Sequence, residues 1–138
     1  MAVPKTLREW VARVLVGIVF AVNLSCAIPF FLTPGSFVDA YQLAGEGAAA
    51  AIAGMGVAFA MWNVTYLPVL FDPGRFRVVF GVVIAQQVVG LAGEIAIWRS
   101  LDAAQAVLAA SIMRFVIFDA IGLVLLVIGF VLSRKGIL

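Results

Sequence analysis

The sequence predicts an all-α integral membrane protein: a four-helix bundle of up-down-up-down layout, with both termini on the cytoplasmic side. Three observations predict it. First, the chain has 138 residues, of which 65% are hydrophobic and 12% charged, where a soluble domain is nearer half apolar and a quarter charged. Its mean hydropathy is +1.20, so lipid rather than a buried core must be the solvent for much of this surface. Second, four apolar stretches are long enough to cross a bilayer, at about 11–32, 47–71, 76–98 and 106–132. Third, the basic residues gather in segments that four crossings bring to one side. The whole chain, 1–138, reads as a single transmembrane domain.

The first crossing follows a mixed, basic start with Lys5, Arg8 and Arg13 against Glu9. That start and its apolar run also fit a signal peptide with a small-residue cleavage site at Ser25-Cys26-Ala27. We read the segment as retained, with Pro29 marking a helix about to stop. The loop Thr33 to Glu46 opens on the turn signal Pro34-Gly35. Ser36 is placed to cap a short interfacial helix carrying Phe37, Val38 and Tyr41.

The second crossing is rich in Gly and Ala in its first half. Ala50, Gly54 and Ala58, at four-residue spacing, suit close approach of a neighbouring helix inside the bundle, or of another subunit. Trp62 and Tyr66, in the bulky second half, suit the membrane–water boundary. Pro68 and Asp72-Pro73-Gly74 end the segment in a tight turn carrying Arg75 and Arg77, which can hold anionic lipid headgroups. The third crossing carries Gln86 and Gln87 near its middle and Glu94 toward its end. Asp102 is a plausible cap for the fourth. Leu43-Ala-Gly-Glu46 recurs as Leu91-Ala-Gly-Glu94, an echo that a chain this rich in Ala and Gly produces by chance.

Orientation follows from counting. The N-terminal segment, the Arg75–Arg77 turn and the C-terminus hold Lys5, Arg8, Arg13, Arg75, Arg77, Arg134 and Lys135. The other side holds Arg99 and Arg114. The positive-inside rule makes the first side cytoplasmic. Basic residues at segment ends, without a basic face, argue against nucleic-acid binding.

Histidine is absent, and Cys26 is the only cysteine. Histidine-ligated haem, histidine–zinc sites, histidine-centred triads and an internal disulfide are thereby excluded. No cofactor and no metal site are expected. Cys26 reads as a small buried side chain rather than a nucleophile. Asn23-Leu24-Ser25 and Asn63-Val64-Thr65 match the glycosylation acceptor pattern, but both fall inside membrane segments and are set aside.

Chemistry, if any, belongs to an intramembrane polar cluster: Asn23, Gln86, Gln87, Glu94, Arg114 and Asp119. With the last helix ending near Leu132, Arg114 stands about 27 Å from that end and Asp119 about 7–8 Å deeper. Arg114 is thus near the outer boundary of a ~30 Å core. Glu94 lies at a similar level and is the natural ion-pair partner of Arg114. Asp119 lies about 140° around the helix from Arg114, so the two cannot face one neighbour squarely. The structural reading makes the cluster helix glue, with Asp119 bonded to Asn23 or Gln87. The functional reading makes Asp119 a carboxyl that takes up and releases a proton.

Two stretches, Arg13-Val-Leu-Val-Gly17-Ile-Val-Phe20 and Phe118-Asp119-Ala-Ile-Gly122-Leu-Val-Leu-Leu126, resemble the DoxX-like group of small bacterial four-helix membrane proteins. The resemblance implies the four-helix layout and a bacterial inner-membrane location, with no defined reaction. The first expectation for function is a non-catalytic accessory or structural subunit of a larger membrane complex. Its partners would be membrane lipids and other membrane subunits or further copies of itself. The alternative is a small oligomeric proton-coupled carrier or channel using Asp119 and Glu94. An enzyme acting on lipid would have to run on carboxylates and one arginine alone.

Overall fold

The computed structural model describes residues 5–134, so Lys135, one of the orientation residues, lies outside the described part. The described residues are helical, with no strand among them. The helices are α1 (Lys5–Leu32), α2 (Ala48–Asn63), α3 (Tyr66–Phe71), α4 (Arg77–Ser100) and α5 (Ala106–Leu132). Three segments are long and apolar enough to cross a membrane: Leu7–Leu32, Arg77–Ser100 and Ala103–Leu132.

Helix α1 starts earlier than its apolar run, taking in the mixed stretch around Arg8 and Trp10. It passes Pro29 by a single turn. The Thr33 backbone N–H and hydroxyl then both bond the Pro29 carbonyl, at 2.8 and 3.1 Å, and the helix ends. The loop that follows holds two 3₁₀ turns, Pro34–Phe37 and Asp39–Tyr41. Ser36 does not cap a helix as expected. It sits inside the first turn, its N–H bonded to the Thr33 carbonyl. Phe37 and Tyr41 fold back on Phe30 of α1, with ring centroids 4.7 and 5.6 Å away. Gln42 of this loop ties it to α5, donating to the Ala104 carbonyl and accepting from the Leu108 N–H.

The segment expected as one helix over 47–71 is broken in two. Pro68 has no N–H to give the Val64 carbonyl, and its ring crowds that carbonyl. The chain responds by tightening. Val64, Thr65 and Leu67 donate to carbonyls three residues back, at 3.2, 3.4 and 3.2 Å. The Thr65 hydroxyl also bonds the Trp62 carbonyl at 2.8 Å. Helix α2 packs on α1, whereas α3 packs on both α1 and α4.

Helix α2 is apolar all round, so its sequence does not announce its inner face. Ala48, Ile52 and Gly56 face inward. A Cβ on Gly56 would stand 2.8 Å from both the Ala27 O and the Phe31 N of α1. This is the close approach expected of the small residues, but Ala50, Gly54 and Ala58 do not make it: all three face outward.

The core lies where α1, α3, α4 and α5 converge: Val16, Val19, Tyr66, Val69, Phe80, Val83 and Leu126. Tyr66, expected at the boundary, is fully buried there. The outward faces are apolar; Val78 is 85% exposed, Phe71 84% and Val89 71%. Such a continuous apolar exterior suits lipid, not water. Asp102 caps the last segment as expected. It accepts from the Ala104 N–H at 2.9 Å, and Gln105 returns a bond to the Asp102 N–H.

Candidate functional site: a polar chamber between the helices

Gln87 of α4 is 1% exposed, deep among apolar side chains. A buried amide must find partners. Gln87 Nε2 donates to the Asp119 carbonyl at 3.2 Å and to Asp119 Oδ1 at 3.0 Å. Its Oε1 accepts from the Tyr66 hydroxyl at 3.2 Å. The Tyr66 oxygen accepts from Asn23 Nδ2 at 3.4 Å. One chain of bonds thus links α1, α3, α4 and α5. Gly122 makes it possible, since a Cβ there would come within 3.0 Å of Gln87 Nε2.

Beside this chain lies a cavity of about 40 Å³. Asn23, Gln87, Asp119, Glu94, Cys26 and Asn63 line it, together with Phe59, Trp62, Phe115 and Phe118. Several wall groups have no partner. Asn63 is 3% exposed; its Nδ2 donates to the Phe59 carbonyl at 2.7 Å, but its Oδ1 accepts nothing. Trp62 Nε1 and Glu94 Oε2 are likewise buried and unbonded. Gly90 seats the Trp62 indole, because a Cβ there would stand 2.6 Å from Trp62 Cη2 and 3.1 Å from Asp119 Oδ2.

A second cavity of about 180 Å³ adjoins the first, sharing Cys26, Phe115 and Phe118. Its other walls include Tyr41, Ser111 and Arg114. The Ser111 hydroxyl donates to the Ala40 carbonyl at 2.7 Å and receives Arg114 NH2 at 3.3 Å. Burial above all pushes the Tyr41 phenol, in the loop, above its usual range, and its hydroxyl is unbonded. On the other flank, Trp62 also borders an open groove between α2 and α4, with Val82, Ala85, Gln86 and Val89.

Of the six expected cluster residues, Asn23, Gln87, Glu94 and Asp119 share the chamber. Gln86 does not. Adjacent residues on a helix point about 100° apart, and Gln86 instead accepts from the Thr65 hydroxyl at 2.8 Å. Arg114 is in the neighbouring cavity. The expected Arg114–Glu94 ion pair does not form; among the described residues there is none, and Arg114 turns to Ser111 on its own helix.

Arg77, expected at lipid headgroups, is committed elsewhere. Its NH1 bonds the Phe130 carbonyl at 3.1 Å and Ser133 Oγ at 3.0 Å, and the guanidinium lies 4.0 Å from the Phe130 ring centroid. It closes the C-terminal end of α5, where orphan carbonyls and the helix dipole favour a cation. Arg75 remains exposed.

Sequence reasoning missed Tyr66, Trp62 and Asn63 as site residues. Their signal was present: three hydrogen-bonding side chains within five residues of an apolar segment. No three His, Cys, Asp or Glu side chains among the described residues come together to hold a metal ion. No family model, curated protein or solved structure matches this chain.

Proposed function

We propose that this chain is an integral membrane carrier whose polar chamber binds a small solute, with Asp119 and Glu94 as its working carboxyl groups. Helices α1, α4 and α5 supply three crossings, and α2 with α3 supplies the fourth. That up-down-up-down bundle puts both termini on the cytoplasmic side by the positive-inside rule. The resemblance to DoxX-like proteins supports a bacterial inner membrane.

One observation carries the reading. Asn63 Oδ1, Trp62 Nε1 and Glu94 Oε2 are buried without a partner, and all three residues belong to the wall of one cavity. Polar groups that merely glue helices are satisfied by one another. Here the Asn23–Tyr66–Gln87–Asp119 chain already does that, and the remaining groups are left over for something that enters.

Cys26 offers the test, because it is the only cysteine and borders both cavities. The chain in liposomes is treated with a small, neutral, water-soluble thiol reagent. The carrier reading expects Cys26 to react in the folded protein. A thiol that reacts only after unfolding means a sealed cluster and ends that reading.

The second reading is the accessory subunit. It is favoured by the outward Ala50, Gly54 and Ala58, which would let a foreign transmembrane helix approach closely. Gentle extraction from the native membrane separates the two. A fixed large assembly supports the subunit; a lone chain or small homo-oligomer supports the carrier.

A further inference from the structure

We propose that the ligand of the chamber is a small primary or secondary organic ammonium ion, held by Glu94 and Asp119 beside four aromatic side chains. The inference rests on the reading of the chamber as a solute site and names the chemistry of the solute.

Charge comes first. Glu94 and Asp119 line the chamber, and no lysine or arginine does. Arg114 lines the adjoining cavity and spends its described hydrogen bond on Ser111. Two carboxylates facing one cavity without a cation select against carboxylate and phosphate ligands and in favour of a positive one.

The walls decide what kind of cation. Phe59, Trp62, Phe115 and Phe118 make up four of the eleven lining residues. Phe59 and Phe115 meet with centroids 5.9 Å apart, forming one corner. Aromatic faces attract ammonium groups through the ring quadrupole. A hard metal cation would instead need six or more oxygen ligands, and the aromatic share of this wall supplies none.

Two of the three unpartnered chamber atoms agree. Asn63 is 3% exposed, and its Oδ1 is a buried acceptor without a donor. Glu94 Oε2 is another. A primary or secondary ammonium group carries N–H donors and no acceptor, so it would satisfy these two acceptors where an anion would satisfy neither, while the Trp62 Nε1 donor would keep no partner.

Size sets the limit. The cavity measures about 40 Å³. At roughly 10–15 Å³ per water this is room for about three waters, whose liquid volume is roughly 90 Å³. tert-Butylammonium, with about five non-hydrogen atoms, is on the scale of that space; a drug-sized cation is not.

The experiment uses Cys26 as reporter in the full chain in liposomes. Its modification by the neutral thiol reagent is timed against increasing tert-butylammonium, tert-butanol or pivalate, three probes that share a tert-butyl head and differ in the charge of the group it carries. The expected result is saturable protection by tert-butylammonium alone. Glu94→Gln and Asp119→Asn are expected to weaken that protection by roughly thirtyfold, and Trp62→Leu by about tenfold. Each variant is first checked for a Cys26 that still reacts in the folded protein without ligand, and protection is scored against that variant's own unprotected rate.

Equal protection by tert-butanol makes the chamber a size filter and overturns the ammonium assignment. Protection by pivalate makes it an anion site and overturns it as well. In both cases the solute-site reading survives. A Cys26 that never reacts in the folded chain removes that reading, and this inference with it.

Discussion

Gly56→Ala tests the packing that gives the chamber one of its walls. The new Cβ would stand 2.8 Å from Ala27 O, 2.8 Å from Phe31 N and 3.0 Å from Phe30 Cβ. The first two are backbone atoms of α1 and cannot rotate aside. Ordinary contact begins near 3.4 Å, so α2 must draw back from α1 by about 0.6 Å. A gap of that order forfeits a quarter to a half of each dispersion contact along the seam. Overpacking of this kind costs about 1–3 kcal/mol. The matched control is Gly54→Ala, two residues earlier on the same helix, where a Cβ meets nothing within 4 Å. Its expected effect is within about 0.5 kcal/mol. Both are measured by reversible unfolding in mixed detergent micelles. Cys26 modification is followed in parallel, since Phe59 of α2 lines the chamber with Cys26. Gly54→Ala destabilising as much as Gly56→Ala would refute the rotation assigned to α2, and the position of the chamber wall with it.

Two further outcomes follow from the same geometry. Gln87→Leu leaves the Tyr66 hydroxyl and the Asp119 carboxylate each short of a partner; hydrogen bonds in membranes average ~0.6 kcal/mol and reach ~1.7 kcal/mol. The expected loss is therefore about 1–3 kcal/mol in the same unfolding assay, and a neutral result would show that the bond chain does not hold the helices. Arg77→Ala removes two hydrogen bonds and a ring contact at the end of α5. A loss of about 1–2 kcal/mol is expected, with faster amide exchange in the last turn of α5, while Arg75→Ala leaves that turn unchanged.

Helix α5 was legible in the sequence to its ends, Ala106 and Leu132, because one long apolar run has a capping aspartate before it and a polar Ser-Arg pair after it. The break at Val64–Thr65 was harder to see. Pro68 was visible, but a proline near a helix end and a proline that splits a helix look alike in sequence. Helix rotation was the main loss. Amphipathic helices reveal their inner face by where the polar residues fall, and α2 has almost none. Its small residues were correctly read as a packing signal and placed on the wrong side.

The polar cluster illustrates a different limit. Counting residues placed Asn23, Gln87, Glu94 and Asp119 at different depths within one polar cluster, and these four line one chamber. Azimuth does not follow so simply: Glu94 and Arg114, expected at one level, line different cavities. Tyr66 was misplaced because tyrosine is common at membrane interfaces. Its hydroxyl finds partners within the core instead, at Asn23 and Gln87.

The interruption before α3 divides the molecule into parts with separate attachments. Asn23, Tyr66, Gln87 and Asp119 sit on α1, α3, α4 and α5, so the bond chain owes nothing to α2. Phe59, Trp62 and Asn63, by contrast, are all on α2. The chamber is therefore bounded on one side by a frame hydrogen-bonded to itself and on the other by α2, which no bond of that chain reaches and which is held to α1 by close packing at Gly56.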